Sequence, residues 1–200
     1  MAKRAMIVVG GGSSTRFGGD KLMSDVAGRP LVAHTLAAVA STAEVIVLVC
    51  RPDQQALLEQ LNLGVIIVPG GATRTASEMA GLAGLSGEVD LIAIHDAARP
   101  LVSQDLVEAL YRKAAQVGGA VPVVKTEQIL IDRHTLRPLH DTGRAQTPQV
   151  FRGPELLSAY VRAAQAGFEG LDTADVMLRF GEVPIAVVPL KAFRRGKERL

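Results

Sequence analysis

Three groups of residues in this chain have the types and spacing for work on phosphates. The first is Val9-Gly10-Gly11-Gly12-Ser13-Ser14-Thr15-Arg16-Phe17-Gly18-Gly19-Asp20-Lys21, a glycine-rich turn that follows an apolar run and ends in two spaced cations. Consecutive glycines let backbone N–H groups approach phosphate oxygens with no Cβ in the way, and Arg16 and Lys21 add charge, a combination that suits a nucleoside triphosphate. The second is Gly70-Gly71-Ala72-Thr73-Arg74-Thr75-Ala76-Ser77, which opens a helical pattern continuing through Met79 and Leu82. Free N–H groups and the Ser77 hydroxyl suit a base or a phosphate there; a plain glycine turn with Thr73 as helix N-cap accounts for the same residues. The third is His95-Asp96-Ala97-Ala98-Arg99-Pro100, a carboxylate and a guanidinium separated by small side chains that leave room for a ligand. Asp96 suits Mg²⁺ or a sugar hydroxyl and Arg99 a bidentate phosphate clamp, while the alternative is an Asp–Arg ion pair over a packed core histidine.

Two familiar phosphate loops do not fit the first group. A Walker A loop needs Gly-Lys followed by a hydroxyl residue, but Gly19 is followed by Asp20, and Lys21 by Leu22. A dinucleotide fingerprint would place its third glycine at Thr15, and no acidic residue stands at the expected strand end further on.

Those loops must be held by a sheet. Apolar runs at 5–9, 44–50, 64–68, 90–95 and 119–124 predict buried strands, and stretches with helical spacing at 30–41, 52–61, 74–85 and 103–116 alternate with them. Such alternation predicts a three-layer α/β domain with a mostly parallel, Rossmann-like sheet, whose ligand site lies at the carboxyl ends of the strands. All three chemical groups fall at such ends. Between 127 and 146 the alternation breaks into two short strands around a polar turn, which predicts a protruding β-arm. Its apolar residues are expected either to pack on a second copy of the chain or to fold back on their own sheet. The whole of 1–200 is expected to be one domain.

Composition narrows the class. With 48% hydrophobic and 21% charged residues over 200 positions, the chain has enough apolar material for one substantial core. A net charge of +2, with cations spread along the chain except near the C-terminus, argues against a general nucleic-acid binder. The lone cysteine, Cys50, cannot form an internal disulfide and reads as a small buried hydrophobe. The apolar run after the N-terminus stops at glycines, too short for a signal peptide or a membrane span, so a cytoplasmic location is expected.

Taken in order, the glycine loop with Arg16 and Lys21, Gly70-Gly71-x-x-Arg74-x-x-Ser77, His95-Asp96-Ala97-Ala98-Arg99-Pro100, Pro122-Val123-x-x-Thr126 and Thr147-Pro148-Gln149 resemble one family across residues 5 to about 195. It is the 2-C-methyl-D-erythritol 4-phosphate cytidylyltransferases, within the glycosyltransferase-A-like (GT-A-like) nucleotidyltransferases. The resemblance implies a Mg²⁺-dependent attack of a sugar phosphate on the α-phosphate of CTP, with release of pyrophosphate. It implies cytidine and triphosphate contacts at Gly10, Gly11, Gly12, Gly71 and Ser77, and charge stabilisation by Arg16 and Lys21. Asp96, which would also hold the metal, Arg99, Thr126 and Thr147 would surround the sugar phosphate, and 127–146 would be a subunit-exchanged arm in a homodimer.

The chain departs from the family pattern in places. The Arg16-to-Lys21 gap is shorter than usual and leans toward molybdopterin nucleotidyltransferases, so ribitol 5-phosphate or molybdopterin is the alternative acceptor, and a nucleotide-binding homologue without turnover is a third reading. Arg137 and Arg144 flank the place of the family's phosphate-binding arginine, with Arg137 preferred. Arg194, with Arg195 and Lys197 nearby, stands where the family carries a catalytic lysine, and a planar fork does not reproduce an ammonium. Asp172 matches a family acidic residue; it either positions the acceptor or caps the helix that Val176-Met177-Leu178 predicts.

Overall fold

The strand Arg4–Val9 (β1) has a continuous buried centre, and such a run needs a partner strand on each edge and a covering layer on each face. In the structure, a computed structural model that describes residues 2–11, 20–126, 128, 130–132, 134–135 and 137–190, it has all four. It pairs in parallel with Val45–Cys50 (β4) on one edge and Leu91–Asp96 (β6) on the other. Ile66–Pro69 (β5) extends the parallel set beyond β4. The predicted strands at 5–9, 44–50, 64–68, 90–95 and 119–124 are therefore present within a residue or two, the last as Gly119–Lys125 (β7).

Alternate residues of β1 enter different cores. Met6 and Val8 pack with Leu48, Ala93 and the helices Leu31–Val39 (α1) and Gln104–Val117 (α4), through Val32, Leu36, Val107, Leu110 and Ala114. Ala5 and Ile7 face Val47, Val49, Ile92 and Ile94 on the other side. There the covering helices are Arg74–Ala83 (α3), Gly153–Gln165 (α5) and Thr173–Phe180 (α6). The sheet is thus the middle of three layers, with apolar side chains leaving water on both faces.

The strands after β7 change the sheet from parallel to mixed. Gln149–Arg152 (β11) inserts antiparallel between β6 and β7, and Ile185–Leu190 (β12) joins β7 in parallel. The arm is smaller than the 127–146 expected for it. Leu130–Ile131 (β8) pairs with Pro138–Leu139 (β9) in a hairpin, but Gly143–Ala145 (β10) leaves the arm and lies antiparallel on β7 of the main sheet. The added hydrogen bonds to an open edge of β7 outweigh any tendency of this polar stretch to remain in a loop. A small hairpin of Asp25–Val26 (β2) and Arg29–Pro30 (β3) precedes α1, and Pro30 is its N-cap. The predicted helix at 52–61 is a 3₁₀ turn, Pro52–Gln54, running into Gln55–Gln60 (α2).

Close packing of α3 on the sheet depends on Gly81. A Cβ there would meet Ile7 Cγ2 at 2.4 Å and Val49 Cγ2 at 2.9 Å, both on buried, branched side chains. Gly81→Ala is expected to lower the unfolding free energy by about 1–2 kcal/mol in urea titrations, the overpacking cost less alanine's helical gain. Cys50 is fully buried at the end of β4, and burial first, then Glu59 and Asp53, push its thiol pKa up to about 11. It should therefore resist a thiol reagent at pH 8 in the folded protein and react on unfolding.

Candidate active site

Parallel strands end at a common edge, and the loops leaving β1, β5 and β6 meet there. Gly10 N–H donates to Val49 O (2.7 Å), Gly70 N–H to Cys50 O (2.7 Å) and Ala97 N–H to Val9 O (2.9 Å), so each strand's exit is tied to its neighbour. Between these exits lies a crevice of about 960 Å³, lined by Gly10, Gly11, Lys21, Arg51, Gly71, Thr73, Arg74, Ser77, Asp96 and Arg99 among others. A second concavity of about 390 Å³ borders Ala43, Glu44 and 61–65 at the amino ends of β4 and β5, away from these loops.

One wall is made by backbone. A Cβ on Gly11 would lie 2.9 Å from Ser77 Oγ, so only glycine lets the first loop meet α3 this closely. Thr73 caps α3, its Oγ1 accepting from Ala76 N–H at 3.1 Å, and Ser77 donates its hydroxyl to Gly71 O at 3.3 Å. The capping reading of Thr73 is therefore correct, and it leaves the helix's first turn facing the crevice.

The other wall is charged. Asp96 is the one carboxylate on it among the described residues. Its Oδ1 accepts from Arg74 Nη1 (3.1 Å) and its Oδ2 from Arg99 Nε (2.6 Å), so the ion-pair alternative read from the sequence is present. Burial works to raise the Asp96 pKa, but Arg74 and then Arg99 outweigh it and hold the carboxyl below its usual range. His95 next to it is fully buried, with Nε2 3.1 Å from Arg99 O, and burial pushes its pKa down to about 4. It is a neutral packed histidine.

Lys21 reaches the crevice from a turn that Asp20 organises. Asp20 Oδ1 accepts from the N–H groups of Leu22 (3.1 Å) and Met23 (3.3 Å), while Oδ2 accepts from Gln54 Nε2 and lies 3.8 Å from Arg51. Gln54 is buried and also accepts the Arg51 N–H, which binds this turn to the exit of β4. Sequence reasoning missed Asp20, Gln54 and Arg51, because residues 34 apart, as Asp20 and Gln54 are, carry no periodic signal of contact.

The structure brings Gly10, Gly11, Gly71, Ser77, Lys21, Asp96 and Arg99 onto one crevice. Gly12, Arg16 and Arg194 lie outside the described residues, as do Arg195 and Lys197. Thr147 is buried behind the wall, its Oγ1 accepting the Asp96 N–H at 3.2 Å. Thr126 does not line the crevice: its Oγ1 accepts from Gln128 N–H at the base of the arm. Arg137 is exposed on the hairpin, and its carbonyl accepts from Asp132 N–H. Asp172 is the N-cap of α6, with Oδ1 on Asp175 N–H (2.9 Å) and Oδ2 on Gln149 Nε2 (2.8 Å), so both oxygens serve local structure rather than the crevice. Arg74 and Glu78, which the sequence reading left without a role, are joined by an Nε–Oε1 bond of 2.8 Å; their i,i+4 spacing was the available signal.

Comparison with known proteins gives a consistent result. The family described as "IspD: 2-C-methyl-D-erythritol 4-phosphate cytidylyltransferase" matches residues 4–192. The bifunctional enzyme IspD/IspF of Rhodobacter capsulatus is 36% identical over 92% of this chain and 50% of its own length, so the chain spans about half the length of such curated relatives. The 2-C-methyl-D-erythritol 4-phosphate cytidylyltransferase of Solibacter usitatus is 32% identical over 94% of this chain and 87% of its own. The crystal structure of 2-C-methyl-D-erythritol 4-phosphate cytidylyltransferase from Thermus thermophilus superposes with a TM-score of 0.78 at 30% identity, covering 96% of this chain and 90% of the other.

Removing the Asp172 cap tests its assignment without any ligand. Asp172→Ala is expected to lower thermal stability by about 1–2 kcal/mol, and Asp172→Asn, which caps as well, to recover most of it.

Proposed function

The chain belongs to the 2-C-methyl-D-erythritol 4-phosphate cytidylyltransferase family, and from that premise we propose that it transfers CMP from CTP to 2-C-methyl-D-erythritol 4-phosphate, a step of non-mevalonate isoprenoid synthesis. The observation that carries the proposal is the crevice itself, where glycine backbone, Ser77, Lys21, Asp96 and Arg99 converge at the strand ends. In the reaction, a phosphate oxygen of the acceptor attacks the α-phosphorus of CTP. A P–O bond forms, the bond to the β-phosphate breaks, and the electron pair leaves with pyrophosphate. The attacking phosphate monoester is largely ionised at neutral pH, so neither a side-chain nucleophile nor a general base is needed.

What the protein must supply is position and positive charge. Gly10, Gly11 and Gly71 would offer backbone groups to the cytidine and triphosphate, with Gly12 continuing the loop, and Ser77 a hydroxyl. Lys21, with Arg16, would balance the charge that grows as attack proceeds, in a site partly shielded from water. Arg99, the more exposed partner of Asp96, would turn to the acceptor's phosphate, with Arg194 as a further cation. Thr126 and Arg137 lie off the crevice on the arm and have no part in it, and Thr147 would support that side from behind through the Asp96 N–H. Asp172, already engaged as a cap, would act there through Gln149.

The donor set fits a Mg²⁺ ion in one manner. The described residues contain no cluster of three or more His, Cys, Asp or Glu, so the ion would be held by Asp96 and the phosphates of CTP, as Mg²⁺ commonly is. When bound it would supply positive charge to offset that of the triphosphate. Asp96 would then have to release one of its two arginines, and Arg99 is the one facing solvent.

We infer a homodimer through the hairpin of β8 and β9, where Leu139 is half exposed on a hairpin too small to cover it. A cytoplasmic site of action accords with a single buried cysteine and with the absence, among the described residues, of any helix long and apolar enough to cross a membrane.

Pyrophosphate release from CTP and Mg²⁺ in the presence of 2-C-methyl-D-erythritol 4-phosphate is the direct test. Turnover is expected, and Lys21→Ala should lower kcat about 10²–10³-fold, the cost of losing one preorganised charge donor. CTP binding without release, restored by ribitol 5-phosphate or molybdopterin, would shift the acceptor. Binding without release for any acceptor would leave a nucleotide-binding protein.

A further inference from the structure

Glu78 is a buried carboxylate that the reaction does not use. It is 1% exposed on α3, at a depth where an aliphatic side chain would pack at far lower desolvation cost. Three side chains from three helices compensate it. Arg74 Nε donates to Oε1 at 2.8 Å from the first turn of α3, Thr173 Oγ1 to Oε1 at 3.2 Å from the start of α6, and Tyr160 Oη to Oε2 from α5. Tyr160 and Thr173 are themselves buried, so this end of the network is closed to water.

Its open end is the crevice. The guanidinium of Arg74 is planar and rigid, and its two edges are divided between two carboxylates: Nε on Glu78 and Nη1 on Asp96 Oδ1, 3.1 Å away. Fixing one edge against a buried anion therefore fixes the other. Buried ion pairs yield little net stability against an apolar replacement, so the evident effect of this one is orientation. Burial raises the Glu78 pKa, with Arg74, Tyr160 and Thr173 acting against that rise.

We propose that Glu78 is a positioning residue for the transfer reaction: by holding Arg74 from behind, it sets the direction of the Asp96 carboxylate that faces the bound substrates. The proposal rests on the CMP-transfer reading and adds to it a residue that touches neither substrate. The hydroxyls from α5 and α6 satisfy the remaining lone pairs of the buried carboxylate and so contribute to stability, while the direction of Arg74 is set by the Nε–Oε1 bond. Arg74 stays bound to Asp96 when Arg99 leaves for a phosphate, so the carboxylate keeps one fixed oxygen throughout.

Glu78→Gln preserves volume and leaves one acceptor oxygen where the carboxylate had two, while removing the charge opposite Arg74. It is expected to lower kcat/KM for pyrophosphate release about tenfold, as loss of an outer partner of a binding residue commonly does. In an Arg74→Met background the same substitution should cost nothing further. Tyr160→Phe, which removes a donor to Glu78 but leaves the Arg74 contact, should lower the melting temperature and leave kcat/KM unchanged. Equal activity losses in Glu78→Gln and Tyr160→Phe, or a full additional loss in the Arg74→Met background, would overturn the proposal. Should Glu78→Gln fail to fold, Glu78→Asp, which draws the charge back by one methylene, is expected to show the same direction of loss. Arginine Nε–Hε NMR of the unliganded protein supplies a readout independent of turnover. The Arg74 signal should be protected from exchange in the wild type and in Tyr160→Phe and lose that protection in Glu78→Gln. An unaltered signal would refute the positioning, whereas a wild type that releases no pyrophosphate would refute the CMP-transfer reading instead.

Discussion

Parallel pairing of β1 with both β4 and β6 is the constraint on which the site depends, because parallel strands deliver their carboxyl ends to the same edge of the sheet. Loops that are far apart in sequence then leave from adjacent points. The tie from Ala97 N–H to Val9 O and that from Gly10 N–H to Val49 O extend the ladder just past the strands, so the glycine loop and the Asp96 loop begin from fixed positions. Apolar burial on both faces holds the strands in register, since a slip of one residue would exchange the two cores. The site is in this sense a by-product of a sheet that is stable for ordinary reasons.

Charge balance explains the rest of the crevice. Arg51, Arg74 and Arg99 crowd the same edge as Lys21, and each arginine is paired with a carboxylate: Arg51 with Asp20 and Asp53, Arg74 with Glu78 and Asp96, Arg99 with Asp96. Lys21 stands on a turn whose shape Asp20 sets through two backbone N–H groups. A site rich in cations would otherwise repel itself, and the internal anions hold it together. Exposure grades the partners around Arg74 and Asp96. Glu78 is sealed in, Asp96 is partly open and Arg99 is more open than either, which orders them from permanent to exchangeable.

Much of the site could be read from the chain because its signals are local. Gly10, Gly11 and Gly71 stand just past apolar runs and Ser77 in the first turns of the helix that follows, a pattern visible within a few residues of sequence. The strands β1, β4, β5, β6 and β7 and the helices beside them were legible because hydrophobic periodicity reports the layer a residue enters, whereas the small β2–β3 hairpin carried no such pattern. Beyond residue 146 the signals weaken. Neither the insertion of β11 antiparallel between β6 and β7 nor the return of β12 beside β7 leaves a mark in its own short segment, because strand order is chosen by which edges remain unpaired. The 143–145 stretch looked like arm and became sheet on those grounds.

The sequence by itself determined the class of the fold, the edge of the sheet where the crevice lies and the glycines and hydroxyl that line it. It determined the Asp172 cap as one of two open readings. Only the tertiary structure decided that Asp172 is held by Gln149, that Asp20 is clasped by Gln54, and that Glu78 stands behind Arg74 and Asp96 with Tyr160 and Thr173 around it. The physical reason is one of range. Propensity, periodicity and turn chemistry act over a few residues, whereas the cost of burying a charge is met by whichever donors the packed helices bring within 3 Å or so.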